Sequence, residues 1–148
     1  MPPRKRLVFI SHSGTDTWVA KQIAREISTC GAVPFLDQVE IEFGENFEAK
    51  IRASLAQADE LLVLLTPWAL ERPYVWAELG AVWGKGIPII GVLHGMSVNE
   101  LQSKPEIPIF LKAQNLLELN DIDIYFKQLE AKIKRKRQNK TGTRQKNK

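Results

Sequence analysis

Short, continuous apolar runs alternate along this chain with stretches whose apolar residues recur at helical spacing, and that alternation restricts the fold more than any other feature. Residues 7–10, 32–36, 61–65 and 87–93 are largely hydrophobic in succession, with a weaker run at 115–119. A strand apolar on both sides has both faces covered, as in a parallel sheet packed between helices. Between the runs, Val19, Ile23 and Ile27 repeat at i+4, and so do Phe47, Ile51 and Leu55. Val75, Leu79 and Val82 follow i, i+4, i+7, and Ile122, Phe126, Leu129 and Ile133 mark a last helix. The stretch 97–110, with Pro105 and Pro108, reads as a loop holding a short, irregular helix.

The boundaries carry their own chemistry. Thr15 or Asp16 can cap the first helix, Gly31 ends it, Pro73 suits a first helical position, and Asn120 or Asp121 can cap the last helix. Each apolar run except the fourth is followed by a clear helix, so parallel strands joined by right-handed crossovers are expected. The fold class is α/β, a flavodoxin-like open doubly wound sheet of five parallel strands in the order 2-1-3-4-5, with helices on both faces. At 148 residues the chain is the size of one average domain.

Charge divides the chain further. Arg4, Lys5 and Arg6 stand at one end, and nine basic residues with no acid lie from Lys132 to Lys148. Residues 7–131 hold nine basic and all 17 acidic residues, a balance of −8, although the whole chain carries +4. The organisation read from this is a basic arm (1–6), a folded domain (7–133) and a basic tail (134–148) without an apolar residue, expected to be disordered. A specific nucleic-acid-binding domain would carry its positive charge on a structured face, so none is expected. The single cysteine, Cys30, can build neither an intrachain disulfide nor a cysteine zinc site, which suits a cytoplasmic location. No apolar run approaches the roughly 18 residues that span a bilayer, and no signal segment is recognised.

In a sheet of this order, ligands bind outside the carboxyl ends of the strands where the winding reverses, here between strands one and three. The loops meeting there are 11–16 and 66–74, the second leading into the helix that carries Glu78. The long loop 37–46, with acids at 37, 40, 42 and 45 and Phe43-Gly44 near its end, can act as a lid. At about 100° per residue Glu78 stands about 60° from Val75, on the border of the apolar stripe. An acid there is partly desolvated, a setting that functional carboxylates often occupy. Tyr74, four residues earlier, lies over the same face. A glutamate anchoring a neighbouring loop is the structural alternative.

Four blocks of the sequence resemble the successive motifs of TIR (Toll/interleukin receptor) domains, particularly prokaryotic ones: VFISHSGTD (8–16), the Phe35-Leu36-Asp37 strand end, ADELLVLLTPWAL (58–70) and RPYVWAELGAVW (72–83). The resemblance implies that Glu78 is the catalytic acid of an NAD-cleaving enzyme. Tyr74 takes the place where the family usually has Trp. Phe9, Ile10, Ser11 and His12 match the first-strand motif lining the pocket, with Thr66 on the facing loop. Asp37 and Phe43 belong to the loop that gates the pocket and mediates self-association. NAD is then a substrate and no cofactor is implied. The products would be nicotinamide with ADP-ribose or a cyclic ADP-ribose signal, read by a separate effector protein in bacterial antiviral defence. Homotypic self-assembly is the family's usual partnership, and a non-enzymatic interaction module is the alternative.

Other readings fit less well. A flavin protein could use SHSGTDT to hold phosphate, but Asp16 adds negative charge there. A phospho-receiver needs an aspartate where strand three ends, and Thr66 stands there. A nucleoside deoxyribosyltransferase shares the layout and a catalytic glutamate. His12 reads as a loop hydrogen-bonding residue, and with His94 and Glu78 it forms no metal cluster of recognisable spacing, so no metal is assigned. Trp18, Trp68, Trp76 and Trp83 read as core or interface residues, with Trp76 a candidate to face a partner.

Overall fold

The computed structural model describes residues 4–36, 53–105, 107 and 115–146. Five parallel strands, β1 (Leu7–Ser11), β2 (Val33–Leu36), β3 (Glu60–Leu65), β4 (Ile89–Leu93) and β5 (Asn115–Glu118), form one sheet in the order β2-β1-β3-β4-β5. This is the order expected from the sequence. Helix α1 (Thr17–Thr29) joins β1 to β2, α2 (Pro73–Gly84) joins β3 to β4, and α3 (Val98–Ser103) precedes β5. Helix α4 (Asp123–Lys146) follows it, and residues 53–57 are helical ahead of β3.

The period-2 geometry of the strands sorts the apolar residues into two layers. Phe9, Leu61, Val63, Leu65, Ile89 and Leu93 face Val75, Leu79 and Val82 of α2 and Leu101 of α3. Val8, Ile10, Leu62, Leu64, Ile90 and Val92 face Ala20, Ile23 and Ile27 of α1 and Tyr125, Phe126 and Leu129 of α4. Each side chain of that size taken fully out of water contributes about 1.5–3 kcal/mol. Pro34 is tolerated because β2 is an edge strand paired only with β1, where Val8 lies opposite it. Gly91 leaves room for the Leu116 side chain of β5, since a Cβ there would stand 2.6 Å from Leu116 Cδ2.

Three local expectations are corrected. Asp16 precedes α1 but makes no side-chain cap bond; the Ser13 hydroxyl caps the preceding turn instead, accepting from Thr15 N. The last helix opens after a 3-10 turn at Leu119–Asp121 rather than directly on a cap at Asn120. The tail expected to be disordered from 134 is helical to Lys146 as a continuation of α4. Lysine, arginine and glutamine are good helix formers, and a helix already nucleated by packed turns propagates at little cost.

Candidate active site at the carboxyl edge

The carboxyl ends of β1 and β3 gather most of the buried polar side chains among the described residues. Ser11, His12 and Ser13 leave β1 buried, Asp16 is buried in the 3-10 turn Gly14–Asp16 that follows, and Thr66 is buried at the end of β3. Two loops are tied across the switch point by one short bond: Thr66 Oγ1 donates to Asp16 Oδ2 at 2.6 Å and accepts from Ala69 N at 3.1 Å. The Thr66 hydroxyl is thereby used within the protein, so it fixes loop geometry. His12 turns its Nδ1 to the Ser13 carbonyl at 2.8 Å, the loop-bonding role read from the sequence. Thr17 Oγ1 donates to the Gly14 carbonyl at 2.7 Å and closes the turn.

Glu78 is buried more deeply than its border position implied, with only 3% of its surface exposed. The reason lies in the composition of α2, PYVWAELGAVWG, whose buried arc runs from Glu78 through Val75, Val82 and Leu79 to half-buried Trp76. Trp76 packs on the core while half-buried, and its Nε1 donates to the Leu70 carbonyl at 2.9 Å. Phe9 lies on the α2 side of the sheet, its ring 5.2 Å from that of Phe35, and Ser11 two residues on shares that side by strand parity. Ser11 Oγ is buried without a hydrogen-bond partner among the described residues. Ile10 points the other way, into the layer under α1. Tyr74 sits in the first turn of α2 and its side chain, like Asp37 and Phe43, lies outside the described residues.

Phe9 and Ser11 of β1 lie on the α2 side of the sheet, His12 is on the loop after β1, Thr66 follows β3, and Glu78 is buried on α2. The sequence reading missed the Asp16–Thr66 bond, whose signal was two polar residues in the two loops that meet where the winding reverses. A cleft of about 290 Å3 lined by His94, Ser97, Glu100, Glu118 and Asn120 opens one step along the same edge, between β4 and β5. It lies beside the switch point, and its two exposed carboxylates would repel a phosphorylated ligand. Among the described residues no group of His, Cys, Asp and Glu is placed to hold a metal ion. None of the described helices is long and apolar enough to cross a membrane.

A protein-family model described as TIR domain matches residues 8–135. The chain belongs to the TIR domain family. Solved structures agree on the fold. The TIR domain of the Toll-related receptor TRR-2 from Hydra magnipapillata is 20% identical with a TM-score of 0.60, over 80% of this chain and 87% of that one. A prokaryotic SEFIR domain is also 20% identical, with a TM-score of 0.58 over 86% of this chain and 91% of that one. No curated protein matches the sequence. Within the TIR fold, the buried carboxylate stands on the helix that follows β3, and the polar cluster caps the two strands between which the winding reverses.

Proposed function

We propose that this TIR domain cleaves NAD at the bond between nicotinamide and ribose, with Glu78 as the catalytic carboxylate. The reading is carried by the burial of Glu78 on α2, on the same side of the sheet as Phe9 and Ser11. Rupture of that bond develops oxocarbenium character on the ribose, and a carboxylate in a dry setting stabilises it or holds the ribose hydroxyls. The pyridine leaves as a neutral molecule and needs no proton, so one acid suffices. Ser11 Oγ supplies a polar contact for the ribose or the amide, and Phe9 an apolar wall. Half-buried Arg72, at the N-cap of α2 without a side-chain cap bond, adds positive charge near the start of that helix for the pyrophosphate. Capture by water yields ADP-ribose, and capture by the substrate's own adenine or ribose yields a cyclic product. Bacterial antiviral signalling through that product in the cytoplasm is the physiological setting we assign.

The test is nicotinamide release from NAD by the purified full chain at several concentrations, followed by chromatography. Wild type is expected to release nicotinamide, faster when concentrated because assembly orders the site. Glu78→Gln should lower the rate by about 100-fold or more, the scale for removing a main electrostatic stabiliser. Tyr74→Trp, which restores the family's usual residue, should keep or raise the rate. Equal rates for wild type and Glu78→Gln would remove Glu78 from the mechanism.

A second reading, a non-enzymatic module that works by self-association or docking, is favoured by the exposed indoles of Trp18, Trp68 and Trp83. It takes over if neither wild type nor Tyr74→Trp releases nicotinamide in the assembled state.

A further inference from the structure

Helix α4 changes character along its length. Up to Ile133 it is a packed helix: Tyr125, Phe126 and Leu129 are buried against the sheet, and Ile133 packs on the same layer. The packing ends at the amino edge of the sheet, where the strands begin, because a Cβ on Gly31, at the turn into β2, would stand 3.6 Å from Ile133 Cγ2. Residues 134–146 carry the helix on by about 20 Å. That stretch holds neither an apolar residue nor an acid. Lys134, Arg135, Lys136 and Arg137 are all exposed, and at about 100° per residue four successive positions surround the helix axis. Lys140, Arg144 and Lys146 follow on the same backbone helix.

The expectation of no nucleic-acid partner rests on a tail without structure, and the helical course of 134–146 puts that charge on a formed element. Acids within the chain do little to balance it. Lys134 pairs with Glu130 at 2.9 Å, Asp59 and Glu60 are occupied by Arg4 and Arg6, and Glu26 of α1 stays exposed. Like charges stand four apart at Lys132 and Lys136, Lys136 and Lys140, and Lys140 and Arg144, and Gly142 lowers helix propensity. The extension is therefore a helix under self-repulsion, which a polyanion relieves. A helix lying on a membrane needs an apolar face, and this stretch has none. The major groove of B-form DNA is about 12 Å wide, a helix with its side chains is about 10–12 Å across, and phosphates line both walls. Cations on every side of the helix are all used there. The deep, narrow major groove of duplex RNA excludes such a helix.

We propose that residues 134–146 of α4 dock in the major groove of duplex DNA, held by its phosphates without preference for sequence. Exposed Lys5 and Lys85 at the amino edge add to the attracting field. The helix leaves the sheet at that edge, so the carboxyl edge with Ser11, Asp16 and Thr66 stays uncovered by the DNA. The association stands whether or not the domain cleaves NAD.

Fluorescence anisotropy of a short labelled DNA duplex, titrated with the full chain, tests this. Affinity should fall about 100-fold or more between about 50 and about 200 mM salt, the dependence of four or more neutralised phosphates. Lys134→Gln, Arg135→Gln, Lys136→Gln and Arg137→Gln combined, which keep good helix formers in place, should weaken binding at least about tenfold and flatten the salt dependence. Wild type should gain helical circular dichroism on adding the duplex, as neutralisation removes the repulsion. Gln138→Pro keeps every charge but breaks the helix, so it should lose that gain and bind at least about fivefold more weakly. A duplex RNA of the same sequence should bind at least about tenfold more weakly than the DNA. Thermal unfolding establishes that the packed domain of each variant is intact. Undiminished binding by the folded quadruple variant would overturn the proposal. So would equal binding by Gln138→Pro or by duplex RNA, either of which would mean that charge acts without a docked helix. A wild type that ignores DNA and binds phosphatidylserine vesicles would move the partner to a membrane and overturn it as well.

Discussion

Two glutamates of this domain are buried, Glu60 at the start of β3 and Glu78 halfway along α2, and their surroundings differ. Glu60 opens β3 at the amino edge with none of its surface exposed, and every contact it makes is internal: the Arg6 Nε donates to one oxygen and the Tyr125 hydroxyl donates to the other at 2.7 Å. Beside it, Asp59 accepts from Leu7 N at 2.7 Å and from Arg4 at 2.8 Å. Glu78 lies halfway along α2, on the side of the sheet to which Ser11 presents a buried hydroxyl without a described partner. Burial alone therefore does not mark a functional carboxylate. A buried acid wholly committed to an arginine and a phenol joins strand to strand and sheet to helix, whereas Glu78 is the acid to which we assign the chemistry.

The contrast is sharpest in what removal of each acid does. Glu60→Ala leaves Arg6 half-sheltered without its partner and Tyr125 without an acceptor, and should cost about 3–5 kcal/mol in urea unfolding. Any NAD cleavage by that variant should follow its folded fraction. Glu78→Gln should instead yield a folded protein whose turnover is lost. A Glu60→Ala protein that keeps its unfolding midpoint, or a Glu78→Gln protein that keeps its rate, would erase the distinction. The Asp16–Thr66 bond is the intermediate case, structural chemistry at the functional edge. Thr66→Val removes one hydrogen bond to a buried carboxylate and one acceptor for Ala69 N, and should cost about 2–3 kcal/mol. Pairing it with Asp16→Ala tests the bond directly: the two effects should fall short of adding, because both variants break the same contact. Simple additivity would mean that each residue acts elsewhere.

Much of this is legible in the sequence, for physical reasons that differ by region. Strands buried on both sides must be apolar on successive residues, so β1, β3 and β4 stand out, while the partly exposed edge strand β5 gives only a weaker run. The starts of β2 and β4 shift by one or two residues at Ala32 and Ile87, where the backbone is still closing turns to Ile27 and Val82. Glu78 stands out because helical geometry places it beside Val75; its full depth does not, because that depends on how much of α2 the rest of the fold covers. Glu60 escapes notice since a charged residue at the head of an apolar run looks like a strand boundary. Only the parallel register, which sets Val8 against Glu60 and so brings Arg6 to the amino edge, reveals its partners. The helical course of 134–146 is illegible because an apolar count measures packing, and that segment depends on propensity and on the turns before it.

The smallest effect tests the amino edge alone. Tyr125→Phe removes one hydrogen bond to Glu60 while Arg6 stays in place, and should cost about 1–2 kcal/mol near neutral pH. Its signature is a changed alkaline limb. Burial raises the Tyr125 phenol above its ordinary value of 10.0, and the neighbouring Glu60 carboxylate raises it further by repelling the phenolate and accepting the hydroxyl proton. Above that ordinary value the unfolded chain gives up a proton that the folded chain keeps. Fewer protons are then bound in the unfolded state, so stability falls as pH rises there and is fully present below it. Cys30, whose thiol is raised from 9.0 mainly by burial, acts with the same sign but begins lower, so the comparison is made in a Cys30→Ala background. In that background, urea midpoints measured from about pH 9 to about pH 11 should fall more steeply for the protein that keeps Tyr125 than for the one carrying Tyr125→Phe. Parallel lines would show that the phenol titrates alike in both states, and the amino edge would then lose its claim to be a closed, dry network.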